Sequence, residues 1–87
     1  MSHMNLVIMS GRLGADPVKS VVGADKIKTV FRLACTRKWG SGDDQEETTW
    51  VEVVCWGGLA EVVNEYCKKG REVLVKGRLS IEKWESK

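Results

Sequence analysis

The 87-residue chain is poor in several things that mark out function. It has one proline, one phenylalanine, one tyrosine and one histidine. No apolar run approaches the roughly 18–20 residues that a helical membrane span needs. No basic-then-apolar leader opens it, which argues against a secretory route. The single histidine, His3, lies in Met1-Ser2-His3-Met4, which reads as a vector remnant ahead of a start at Met4. With residues 1–3 set aside, residues 4–87 form one domain without internal repeat or linker, and no histidine is left to act as a base. The three cysteines, Cys35, Cys55 and Cys67, are odd in number and contain no CxxC pair. A tetrahedral zinc site is therefore not expected, nor is any other metal or cofactor. Each cysteine sits among apolar neighbours, so buried, reduced thiols in a cytoplasmic protein are the expectation. A cysteine nucleophile would need an activating base, and none is available. Gly11-Arg12-Leu13-Gly14 precedes no helix and is not a phosphate loop. An enzyme is not expected.

Charge is unevenly laid out. Four acids, Asp43, Asp44, Glu46 and Glu47, fall in five residues, and elsewhere 14 basic residues face 8 acidic ones. This basic body could favour a polyanion, although a solvated charged face is the usual meaning of such an excess.

Hydrophobic patterning supplies the fold. Leu6 to Leu13 reads as a strand ending at Gly14-Ala15-Asp16-Pro17, with Gly11 suggesting a bulge or bend. Val18 to Val22 reads as a brief strand or an extended connection. Lys26 to Thr36 alternates, with Ile27, Thr29, Phe31, Leu33 and Cys35 on one face and Lys28, Val30, Arg32, Ala34 and Thr36 on the other. Thr48 to Trp56 does the same, setting Val51, Val53 and Cys55 against Trp50, Glu52, Val54 and Trp56. Leu59, Val62, Val63 and Tyr66 fall at i, i+3, i+4 and i+7, predicting a helix over Gly58 to Lys69 that is closed by Lys68, Lys69 and Gly70. Val73 to Ile81 is a last alternating strand, with Val73, Val75, Leu79 and Ile81 inward. The chain is thus mainly β. A helix between the third and fourth main strands is the order of an OB-fold, the five-stranded Greek-key barrel, here short of its last strand.

What the sequence has in excess is tryptophan: four in 87 residues. Trp50 and Trp56 share the strand face opposite the apolar one. Trp39 follows Arg37 and Lys38, and Trp84 follows Lys83. Aromatics interleaved with cations suit a sequence-tolerant binder of single strands, in which bases stack on rings and Lys or Arg tracks phosphate. The same pattern also fits indoles packed under a loop or a subunit interface, or a sugar-binding face. The pattern by itself leaves all three open.

At this point a resemblance becomes specific. Asn5 to Pro17 is similar to the first strand and Gly-x-Leu-x-x-Asp-Pro turn of the bacterial single-stranded DNA-binding proteins. Thr49 to Glu61 resembles their third strand and helix start, and Tyr66 to Gly70 and Val73 to Leu79 continue the match. The resemblance implies non-catalytic, largely sequence-independent binding of single-stranded DNA in replication, repair or recombination, in the bacterial cytoplasm at the nucleoid. It implies stacking on Trp39, Trp50, Trp56 and Trp84, and phosphate contacts from Lys69 and Lys83. By position and charge Arg37, Lys38, Lys76 and Arg78 are supporting cations. A homotetramer is implied, with a dimer as the alternative. The family's fifth strand and its acidic tail, which recruits replication and repair enzymes, have no counterpart before Lys87. The chain is then either a cut core or a short paralogue, and its barrel is open or completed by another subunit. Glu52 and Gly58 stand where the family is often basic, which predicts weaker DNA binding. A rival reading keeps the fold as a regulatory or interaction module that has lost DNA affinity, and another makes it an RNA or oligosaccharide binder.

Overall fold

The computed structural model describes residues 3–40 and 45–81. Five strands and one helix follow in the order β1 (Val7–Leu13), β2 (Val18–Val22), β3 (Lys26–Lys38), β4 (Glu46–Trp56), α1 (Gly57–Tyr66) and β5 (Glu72–Gly77). All neighbouring strands are antiparallel. The long β3 organises the sheet. One of its edges carries β4 without interruption, from Lys28 opposite Trp56 to Lys38 opposite Glu46. The other edge is shared between β2, paired at Val18↔Val30 to Val22↔Lys26, and β1, paired at Arg12↔Ala34 and Leu13↔Leu33. β5 then adds to the far side of β1. Among the described residues no ladder joins β4 to β5, so the sheet is open there, as the fold reading anticipated.

The period-two pattern placed the two faces of β3 and β4 correctly. Thr29, Phe31, Leu33 and Cys55 are buried, and Leu13, Ala60 and Val63 close the core over them. Met9, Ile27, Val53, Cys67, Val73 and Val75 pack around this cluster. Thr29, the one buried polar side chain among the described residues, donates its hydroxyl to the Ala60 carbonyl at 2.8 Å, tying β3 to α1. Burial of a polar group is tolerable only with such a partner.

Several expectations need correction. Val18–Val22 takes the first of its two readings, a strand, so with it counted the helix lies between the fourth and fifth strands in chain order. Gly11 makes no bulge in the ladder to β5, which runs unbroken from Val7↔Gly77 to Arg12↔Glu72, while the ladder to β3 stops beside it at Arg12↔Ala34. It instead permits close approach, since a Cβ there would run into the Ala34 carbonyl. The helix ends at Tyr66, leaving Lys68 and Lys69 outside it. Its packed residues are Ala60 and Val63, while Leu59, Val62 and Tyr66 are exposed. β5 stops at Gly77, and Leu79 and Ile81 face solvent instead of the core. Beyond that stop, where a further ladder rung would lie, the Asn5 side-chain amide takes both backbone hydrogen bonds of Leu79, at 2.8 and 2.9 Å. Of the cysteines only Cys55 is fully buried, and Cys35 and Cys67 are partly exposed free thiols.

Candidate nucleic-acid interface

Side chains alternate across a strand, so the outer face of the β3–β4 ribbon carries the even-numbered residues of both. Directly opposed pairs on that face are Lys28/Trp56, Val30/Val54, Arg32/Glu52, Ala34/Trp50 and Thr36/Thr48. Thr36 and Thr48 share a hydrogen bond between their hydroxyls at 3.0 Å. Trp50 and Trp56 are about half exposed, at 49% and 52%, which leaves a large apolar area in contact with water. They lie six positions apart on one strand, roughly 20 Å at ~3.3 Å per residue.

Each described indole has a cation over it. The Lys28 Nζ lies 5.9 Å from the Trp56 ring centre. The Arg32 guanidinium lies 4.9 Å from that of Trp50, and the Arg37 guanidinium 4.8 Å from that of Trp39. Lys28 meets its indole because it is the direct cross-strand partner, and Arg32 because the diagonal neighbour is within reach of a long side chain. Trp39, two residues past Arg37, falls on the opposite strand parity from Trp50 and Trp56. The structure therefore joins Trp50 and Trp56 on one surface and sets Trp39 at the end of the β3–β4 hairpin, where Trp39 N–H donates to the Gln45 carbonyl at 3.1 Å.

Trp50 rests against the end of β1. A Cβ at Gly14 would come within 2.6 Å of the indole Cζ3 and 3.0 Å of Cη2. The same segment fixes the turn that bears Lys69. The Asp16 carboxylate accepts from the Lys69 backbone N–H at 2.8 Å, and the Leu13 carbonyl accepts from the Gly70 N–H at 2.8 Å. Gly70 takes a left-handed φ of 86° there, which suits glycine. Lys69 is thus anchored to the segment on which Trp50 lies. At the other end of the ribbon, Trp56 borders a cleft of about 340 Å³ lined also by Asp25, Lys26, Ile27 and Gly57.

The remaining expected cations are more scattered. Lys38 pairs with Glu46 at 3.8 Å on the hairpin. Lys76 stands opposite Ile8, at the end of the β1–β5 ladder away from Arg12, and Arg78 lies beyond β5. Trp84 and Lys83 lie outside the described residues. The sequence reading did not single out Lys28, Arg32 or Gly14. Alternation puts Lys28 and Arg32 on one face of their strand, but only the β3–β4 register shows which cation meets which indole. Burial raises the Cys55 thiol above its ordinary pKa, and the nearby Cys67 adds to this, so Cys55 is held neutral beneath the face.

An open OB-type sheet whose outer face interleaves exposed indoles with cations defines an oligonucleotide-binding class of domain. The chain belongs to the single-strand binding protein family, whose model matches residues 4–87. It is 38% identical over 84 residues to Single-stranded DNA-binding protein 1 of Chlorobaculum tepidum, covering 94% of this chain and 52% of that protein. It is 36% identical over 90 residues to Single-stranded DNA-binding protein 1 of Xylella fastidiosa, covering 100% of this chain and 66% of the relative. The chain thus spans between half and two-thirds of the length of these relatives. Among solved structures it is similar to a Plasmodium falciparum SSB in complex with ssDNA, with a TM-score of 0.88 and 25% identity over 99% of this chain and 78% of the other.

Proposed function

We propose that this chain binds single-stranded DNA without catalysing a reaction. The observation that carries the reading is the pair of half-exposed indoles, Trp50 and Trp56, on one sheet face interleaved with Lys28 and Arg32. Bases stack on these rings, and on Trp39 and Trp84, by a contact worth about 1–3 kcal/mol per base that is indifferent to base identity. Phosphates are met by Lys69, Lys83 and Arg37, with Lys38, Lys76 and Arg78 contributing to the field around the strand. Family membership and the names of the relatives support the same ligand. The role is then in DNA replication, repair or recombination, in the cytoplasm at the nucleoid, with residues 4–87 as the binding domain. Assembly as a homotetramer follows the family resemblance, with a dimer as the alternative.

Titration of intrinsic tryptophan fluorescence with oligo-dT tests the reading, with duplex DNA as control. Quenching by the single strand alone, weakened as salt rises through counterion release, is the expected result. A folded chain whose fluorescence does not respond to micromolar oligo-dT would overturn it and leave the interaction-module reading in its place.

A further inference from the structure

We infer that Arg32 and Lys28 are placeholders for DNA bases: each cation covers the stacking face of an indole in the free protein and must leave it before a base can stack there. This rests on the single-strand-binding reading above and says how that site is gated. Trp50 is the clearer case. Its six-membered ring is flanked by Gly14, with no room for even a Cβ between them. The Arg32 guanidinium lies over the ring at 4.9 Å. A base stacked at van der Waals distance would need the space the guanidinium holds. Arg32 also has a carboxylate directly across the ladder, Glu52. Yet the ion pairs among the described residues are Lys19–Glu61 and Lys38–Glu46, and Arg32 lies on the indole instead. Lys28 repeats the arrangement at Trp56, 5.9 Å from the ring.

Arg32 then acts twice, with opposite signs. Over the indole it competes with the base, lowering affinity by roughly two- to fivefold at an exposed site. Once displaced, it is left beside the strand whose base took its place and neutralises a phosphate. Salt separates the two effects, because each phosphate neutralised on a single strand steepens log K against log salt by about 0.7. Removing Arg32 therefore makes the salt dependence shallower and opens the platform at the same time. The two affinity lines must cross.

The experiment measures oligo-dT affinity from low to high salt for the wild-type chain, Arg32→Ala, Arg32→Lys and, at the second indole, Lys28→Ala. Circular dichroism confirms folding of each. Arg32 is exposed and outside the core, so the fold is retained. Arg32→Ala is expected to bind more weakly at low salt and up to a few-fold more tightly at high salt, the affinity ratio changing about fivefold per tenfold change in salt. Arg32→Lys restores the wild-type slope, and Lys28→Ala crosses in the same way. A variant weaker at every salt with an unchanged slope would show that Arg32 only supports the indole. Lines that converge without crossing would show a phosphate contact and nothing more. Either result overturns the proposal while leaving single-strand binding intact, whereas a wild-type chain that binds no oligo-dT removes the reading on which it rests.

Discussion

Gly14 shows how much of this surface hangs on a single missing methyl group. Its Cα lets the Trp50 indole lie across the end of β1, and any side chain would push into Cζ3. Gly14→Ala is expected to leave the core folded but tilt or lift the indole. Oligo-dT quenching should then fall, and binding weaken by about 1 kcal/mol or more, since one stacked base is worth ~1–3 kcal/mol. A Gly14→Ala chain with unaltered quenching would mean that the ring finds an equivalent seat. Cys55 offers a second prediction at this scale. Its thiol pKa is raised in the folded chain, by burial first and by Cys67 second. The unfolded chain ionises this thiol near its ordinary value, about 8.5, while the folded chain still holds the proton. The contribution is therefore complete below that pH and is lost as pH rises through the folded-state value. Unfolding in urea at a series of alkaline pH values should show stability falling, with the fall diminished in Cys55→Val. In the native chain a thiol reagent should modify the more accessible Cys35 and Cys67 before Cys55.

The elements show where local sequence suffices and where it does not. Alternation alone sorts Phe31 and Leu33 onto one face, and Trp50 and Trp56 onto the face opposite Val51, Val53 and Cys55, because a period of two admits only two faces; burial then shows which is the core. The helix was less legible. Its apolar residues form two adjoining stripes, and a period of 3.6 cannot say which one meets the sheet. Thr29 decides it: its hydroxyl bonds the Ala60 carbonyl and draws the Ala60–Val63 stripe inward, leaving Leu59 and Val62 exposed. The end of β5 is illegible for a similar reason: the ladder stops at Gly77, and Asn5, far away in sequence, holds the Leu79 backbone by its side chain instead. The cations over the indoles depend on pairing register, which no segment carries alone. Thr29→Val keeps the shape of the buried side chain but removes the bond to α1. It is expected to destabilise the domain by about 1–2 kcal/mol, measured by chemical denaturation. A loss below about 0.3 kcal/mol would mean that packing alone docks the helix.

For the whole molecule, the question is how so small a sheet stays folded. Among the described residues the buried apolar side chains are few, namely Leu13, Phe31, Leu33, Cys55, Ala60 and Val63. Meanwhile Ile8, at 59% exposure, and Leu74, at 72%, face solvent from the outer side of the β1–β5 ladder. Domains of this size bury a modest fraction of their surface and hold little stability in reserve. On that face Ile8 and Leu74 stand among Ser10, Arg12, Glu72 and Lys76, a mixed surface whose apolar pair a second copy would cover in a homotetramer or dimer. If a second copy covers it, folding and association are linked, and stability depends on protein concentration. A tenfold rise in concentration then adds about 1.4 kcal/mol per dimer, enough to raise the unfolding midpoint by roughly 3–6 °C for a pair of chains this size. Placing a charge on this face by Leu74→Asp, opposite Ser10, should lower both the mass by light scattering and the midpoint, and abolish the concentration dependence. Ser20→Asp on the exposed strand β2 should change neither. A midpoint that does not move with concentration, from a chain of monomer mass, would mean that the open sheet stands alone and that its outer β1–β5 face is in contact with water in solution.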